Sequence, residues 1–354
     1  MEQKKWFCKV NLIIISLIGI WSIIIIIVDP YFHFHKPIEG ISYRLYHERY
    51  INDGISRNFE YDAFITGSSM TQNFKTSEID ELFGVNSVKM SFSGTTYEEV
   101  YDNVSRTLDR SDNIKKVFWG FDLHNILSKD GWGRKPEYPT YLYDDNLIND
   151  FSYILNKEVM YGGVLRHLVD TICGKESVTF DEYSAFDRPL GAKYVMEDEE
   201  IIKISDREVQ IDITEAQLDY ATHSIENYVI PAIENHPEVE FNIFLPNYSI
   251  AFWNDESKGG RINARLDAMT ILARSLLEYD NVKLYSFYDQ YEIITNLDNY
   301  SDTMHYSSEI NSMILTWMSE DVGLLTKGNY MQKIEEIREF YLNYNYDEID
   351  AFIP

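Results

Sequence analysis

The chain is poor in cysteine, in positive charge and in repetition, and each shortage narrows its class. Only Cys8 and Cys173 occur in 354 residues, one before the long apolar segment and one far beyond it. That placement argues against a disulfide framework, and neither cysteine has metal-ligand spacing. Lysine and arginine total 31 against 58 acidic residues, a net charge of −27. A phosphate backbone is gripped by clustered cations, so nucleic acid is not the expected partner. No internal repeat or low-complexity tract is present, and 45% hydrophobic residues suffice for a packed core, which sets disorder aside. His33 and His35 alternate in DPYFHFHKPIEG without a nearby third ligand, so they read as interfacial packing rather than a metal pair.

Charge is wholly absent from Val10 to Val28, where VNLIIISLIGIWSIIIIIV runs for 19 residues. As a helix this segment spans about 28 Å, close to the hydrocarbon thickness of a bilayer. Lys4, Lys5 and Lys9 precede it, which keeps the amino terminus cytoplasmic and exports the rest. A cleaved signal peptide is the rival reading. The run exceeds the usual apolar core of such a peptide, however, and Val28-Asp29-Pro30 is not a small-x-small cleavage site. The expected organisation is a cytoplasmic stub and single-pass anchor over 1–30, a juxtamembrane linker over 31–57, and an extracytoplasmic domain over 58–354.

Tyrosine is abundant, with 27 residues, and serves core packing or the lining of a sugar-binding groove. From about residue 58, short apolar runs alternate with helical stretches, the pattern of an α/β fold with a parallel sheet. Five strands are expected at 61–66, 86–90, 115–121, 239–246 and 282–287. Helices are expected near 77–83, 96–110, 216–235 and 261–279, and after 307. The alternation is interrupted at about 125–215 by an insertion that forms either a lid or a helical cap. The acidic run MEDEE at 196–200 reads as a solvated loop.

The first of these strands stops at Gly67-Ser68-Ser69 in FITGSSMTQNF. Glycine and serine are ordinary turn residues, but a glycine also permits a sharp turn that presents a hydroxyl at a strand's carboxyl end, where open α/β sheets bind ligands. The far end of the chain carries Asp302 and His305, three apart, after the fifth strand. One turn then puts a carboxylate on one imidazole nitrogen and leaves the other nitrogen for a nucleophile. A lone Asp-x-x-His is weak. Paired with Gly-Ser-Ser across five strands, it is no longer weak, because both ends of a doubly wound sheet then converge on one edge.

These blocks resemble the SGNH/GDSL hydrolase superfamily over roughly residues 58–325. Gly67-Ser68-Ser69 matches its first block, Gly94 in SFSGTT its second, and Asp302-Thr303-Met304-His305 its last. The anchor followed by this block is similar to the DltD-like proteins of teichoic acid D-alanylation, and to the SGNH partners of membrane-bound O-acyltransferases. The resemblance implies a three-layer flavodoxin-like fold with a five-stranded parallel sheet. It also implies Ser69 as nucleophile, His305 as base, Asp302 as its orienting acid, and oxyanion donors at the Ser69 and Gly94 amides. No metal or cofactor is implied. The third block departs from the family's Gly-x-Asn: here it is Gly120-Phe121-Asp122, and an ionised Asp122 cannot donate to an oxyanion. Asn125 or Asn73 replaces that donor, or two donors suffice. Asp122, Asn247, Tyr248 and Trp253 are the candidate groove residues.

The function expected is a membrane-anchored serine O-acyltransferase or esterase acting on a cell-envelope glycan. Its acyl donor would be delivered by a membrane-bound O-acyltransferase. The alternative is a catalytically silent glycan-binding or scaffolding subunit of an envelope assembly complex.

Overall fold

Apolar runs bounded by turn residues become buried strands when helices cover both faces of a sheet. Six strands occur among the described residues: β1 Ala63–Gly67, β2 Ser87–Ser91, β3 Lys116–Gly120, β4 Glu240–Leu245, β5 Val282–Ser286 and β6 Leu324–Leu325. The structure, a computed structural model, describes residues 2–144, 146, 148–197 and 207–350. Of the acidic run at 196–200, Asp198, Glu199 and Glu200 lie outside the described residues.

The strand order is β2-β1-β3-β4-β5-β6, in which the first five strands are parallel and β6 is antiparallel to β5. The first five follow the order of a doubly wound sheet. Each expected strand is present to within two residues; β6 is too short to leave a readable run. The expected helices correspond to Thr76–Phe83, Tyr97–Arg110, Glu215–Tyr228, Ile230–Asn235, Ile262–Leu276 and Ser308–Ser319. The stretch read as one helix over 216–235 divides at Val229, because Pro231 starts a new helix.

The chain forms two compact units. One comprises Met1–Glu60 with Glu137–Thr179, the other Tyr61–Pro136 with Phe180–Pro354. The insertion at 125–215 is therefore shared between them. In the first unit, the helix Glu2–Val28 is long and apolar enough to cross a bilayer. Asp29 ends it: its carboxylate accepts the amides of His33, Phe34 and His35 and the Tyr153 hydroxyl. His33 Nε2 faces Asp150 at 3.0 Å and His35 Nε2 the carbonyl of Ile26 at 2.8 Å, so each imidazole has a packing role. The segment 31–57 contains most of a second helix, Glu48–Asn58.

The second unit holds the sheet. Its interior is formed by side chains such as Phe64, Ile65, Met90, Phe118, Ile243 and Leu284, all buried. Lys89 of β2 is the exception in that setting: it is fully buried, yet it carries an amine. Its Nζ donates to the carbonyls of Gln72, Phe74 and Asp181 at 2.5, 2.9 and 3.3 Å. Burial pushes this amine down to about 7, with the charge of Asp181 opposing.

Candidate functional site

The turn after β1 exists because of two glycines. Gly67 ends β1 opposite Gly120 at the end of β3, and Gly67 has a φ of 142°. A Cβ on Gly67 would lie 2.6 Å from the Gly120 carbonyl oxygen, and one on Gly120 would lie 2.5 Å from the Thr71 methyl. With both positions bare, the chain folds back into a short 3-10 turn, Ser69–Thr71, at the carboxyl edge of the sheet. The Ser68 hydroxyl caps that turn by accepting the Met70 amide at 3.1 Å. Ser69, the first residue of that turn, is left half-buried.

His305 meets it there. Ser69 Oγ lies 2.7 Å from His305 Nε2, and His305 Nδ1 lies 2.7 Å from Asp302 Oδ2. The other carboxylate oxygen accepts the amides of Met304 at 2.9 Å and His305 at 2.7 Å. Their loop is rigid for local reasons. Tyr300 and Tyr306 pair as an antiparallel bridge, and Ser249 donates its amide and hydroxyl to the Thr303 carbonyl. Burial pushes the Asp302 carboxyl up, but hydrogen bonds and charge from His305, with the Met304 amide, hold it below its usual range. An ionised Asp302 keeps the proton of a neutral imidazole on Nδ1 and leaves Nε2 as the acceptor for the serine proton.

No family model matches the chain, and no curated protein matches it. Among solved structures it is similar to a Streptococcus pneumonia protein provisionally described as a platelet activating factor, at 11% identity and a TM-score of 0.34. That match covers 77% of this chain and 89% of the other.

An arm from the insertion completes the surroundings of the imidazole. Asp181 accepts the Thr76 hydroxyl and the amide and hydroxyl of Ser77, which docks the arm on the start of the helix Thr76–Phe83. The Phe186 amide donates to Asn73 Oδ1 at 2.8 Å. The Phe186 ring then stands edge-on to His305, at 5.5 Å and 85°. Arg188 lies over the Phe186 ring at 4.7 Å and donates to Asp302 Oδ2 at 2.9 Å. Sequence reasoning misses Phe186 and Arg188, because the insertion carries no motif that marks them.

Two clefts flank this line of side chains. One, with about 680 Å³ of empty volume, is lined by Ser69, Gly94, Tyr97, Phe121, Asp122 and Asn125. The other, with about 820 Å³, lies against Arg188, Tyr194, Asp302 and His305, and Met304 borders both. Gly94 sits in an exposed left-handed turn with a φ of 53°. The structure therefore brings Ser69, Gly94 and Asn125 to one cleft. Asn73 stands outside it, with its carbonyl engaged by Phe186.

Asp122 faces the same cleft from the end of β3. Burial pushes its carboxyl up, and hydrogen bonds from Ser68 and Tyr248 pull it back part of the way. The Tyr248 hydroxyl donates to Asp122 Oδ1 at 2.6 Å, and that of Tyr97 donates to the Asp122 carbonyl at 2.5 Å. Tyr248 thus touches the site only through Asp122. The groove expected at Asn247, Tyr248 and Trp253 needs correcting, since all three are fully buried. The chain after β4 continues into a helix, Ile250–Lys258, and Trp253 stacks on Tyr341 at 3.9 Å instead of facing a ligand.

Proposed function

We propose that this chain is an SGNH-type serine acyl-transfer enzyme, anchored in the cell membrane with its large domain on the extracytoplasmic side. Its acceptor is a cell-envelope glycan, and its acyl donor is delivered by a membrane-bound O-acyltransferase. The observation that carries the reading is the continuous hydrogen-bonded line Ser69 Oγ, His305 Nε2, His305 Nδ1 and Asp302 Oδ2 at the carboxyl edge of the sheet. The apolar helix Gln3–Val28 supports the membrane part.

In this reading Ser69 Oγ attacks the donor's acyl carbon while His305 Nε2 takes the serine proton. The tetrahedral oxyanion forms in the cleft shared with Gly94 and Asn125, where the amides of Ser69 and Gly94 and the Asn125 side chain are the candidate donors. A positioned donor is worth roughly 3 kcal/mol in a site shielded from water. His305 then protonates the leaving oxygen, which yields an acyl-Ser69 ester. A sugar hydroxyl enters from the Arg188 and Tyr194 side, loses its proton to His305 and attacks the ester carbon; the Ser69–acyl bond breaks and His305 returns that proton to Ser69 Oγ. Water in place of the sugar makes the same steps an esterase reaction.

A fluorophosphonate probe tests the assignment. Wild-type protein and Ser68→Ala should be labelled, and Ser69→Ala should not. A folded wild type that resists the probe would favour a silent glycan-binding subunit.

A further inference from the structure

The stretch 151–172, in the first unit, is apolar on two faces. Its helix Phe151–Ile154 is followed by a π-helical turn, Glu158–Leu165, and the helix Arg166–Ile172. One face is buried within the unit through Tyr153, Val159, Met160 and Val164. Gly163 presses on Pro30 so closely that an added Cβ would lie 2.6 Å from the proline ring. The exposed side carries an apolar stripe, Phe151, Leu155, Tyr161, Leu165, Val169 and Ile172, from 40% at Leu165 to 85% at Ile172, flanked by exposed Ser152, Lys157, Glu158 and Arg166. From Tyr161 onward these residues recur every three or four positions, as one stripe of a helix does. A helix in water turns polar on its outer face; one that is apolar all round lies in protein or in lipid.

Charge is also thin here. Residues 151–172 contain two basic and two acidic side chains, a balance of zero in a chain of net charge −27. One of the acids, Asp170, is paired with Arg44 and with Lys175. The stretch lies against the anchor: Trp21 and Tyr161 meet edge to face with ring centroids 6.4 Å apart. From Trp21 to the helix end at Val28 the axis rises about 10 Å. Helices lying in a membrane interface bury their apolar face to about that depth, roughly 5–10 Å. The exposed stripe thus continues the exposed apolar surface of the helix Glu2–Val28, at the level where a bilayer meets water.

We propose that residues 151–172 form a second lipid-facing element, lying in the membrane interface beside the anchor. The inference rests on the membrane part of the reading above and is independent of the serine chemistry. The lipid bilayer is its occupant, because the stripe is continuous with a helix that itself requires lipid. Two lipid-facing elements restrict the tilt and rotation of this unit, which a single helix leaves open.

The test uses the full chain with Cys8→Ser and Cys173→Ser, reconstituted in phosphatidylcholine vesicles containing phosphatidylglycerol. Single cysteines at Leu155, Ile172, Ile13 and Lys327 carry an environment-sensitive fluorophore. Brominated acyl chains should quench the labels at 155 and 172 roughly twofold, as interfacial burial requires, and the Ile13 label as well. Aqueous iodide should reach only the label at 327. If the 13 label is quenched by lipid while those at 155 and 172 answer to iodide, the second element is refuted and the anchor stands. Labels at 155 and 172 shielded from both quenchers would mean that protein covers the stripe, which also overturns the proposal. If the 13 label is not quenched by lipid, the anchor itself fails.

Discussion

Arg188 and Asp302 are 114 residues apart in sequence, yet Arg188 Nη1 lies 2.9 Å from the Asp302 oxygen that also receives His305. The carboxylate thereby has four donors: two amides, the imidazole and the guanidinium. A cation at this position shares the negative charge of Asp302 with His305. About half of the Arg188 side chain is exposed, which screens the effect without removing it.

Arg188→Gln should therefore shift the acid limb of kcat/KM for an activated ester to higher pH. Arg188→Lys should restore most of the wild-type profile, since it keeps the charge. An unchanged profile in Arg188→Gln, with kcat altered, would assign the residue a packing role only.

Two glycines near Ser69 should respond differently to alanine. Gly67→Ala drives a Cβ into the Gly120 carbonyl, a backbone group that cannot move aside, and should cost about 3 kcal/mol or more. Gly94→Ala meets nothing within 4 Å and should cost about 1 kcal/mol, from left-handed backbone strain alone. Urea unfolding of the two variants checks the difference.

Asp122 places a carboxyl group in the cleft where the proposed reaction would develop its oxyanion. Asp122→Asn removes that charge and retains the shape, so acylation by an activated ester should rise roughly tenfold, less than a full oxyanion donor is worth. Pre-steady-state release of the leaving group measures it. A fall in rate would show that the reaction needs the Asp122 charge.

Lys89 makes stability depend on pH in a calculable direction. Its folded value, about 7, lies below the ordinary lysine value of 10.5, so between these limits the unfolded chain binds more protons. The destabilisation is full below pH 7 and is relieved as pH rises toward 10.5. Against Lys89→Met, wild-type unfolding free energy should therefore gain about 1.4 kcal/mol per pH unit between pH 7 and 10. Parallel urea titrations of both proteins give this slope; equal slopes would mean that the amine stays charged.

Transfer to a sugar should outrank hydrolysis. In the proposed mechanism a carboxylate at 122 would weaken the oxyanion site, and an acceptor held against the acyl-serine would offset that by proximity. Purified protein given an activated acyl ester and envelope oligosaccharides should form acylated sugar in a Ser69-dependent way. Rapid release of free acid, indifferent to the acceptor, would make this an esterase.

Short-range features were legible in the amino-acid order. Apolar runs marked five strands, because strand burial on both faces leaves an uninterrupted run. The 19 uncharged residues marked a helix able to cross a bilayer, since length and polarity alone decide that property. Asp302 and His305 were legible as a pair because three residues is the span of one turn. What depended on docking was not. Phe186 and Arg188 reach His305 and Asp302 only through an arm fixed by Asp181 and Asn73, and no local pattern encodes a contact across such a separation. Asn247, Tyr248 and Trp253 follow β4 as groove residues would, and only the packing of the helix Ile250–Lys258 shows them to be interior. The sequence by itself determined the five parallel strands, the apolar helix and the two motifs. Tertiary structure decided which side chains surround them, because burial and charge contacts are set by segments distant in the chain.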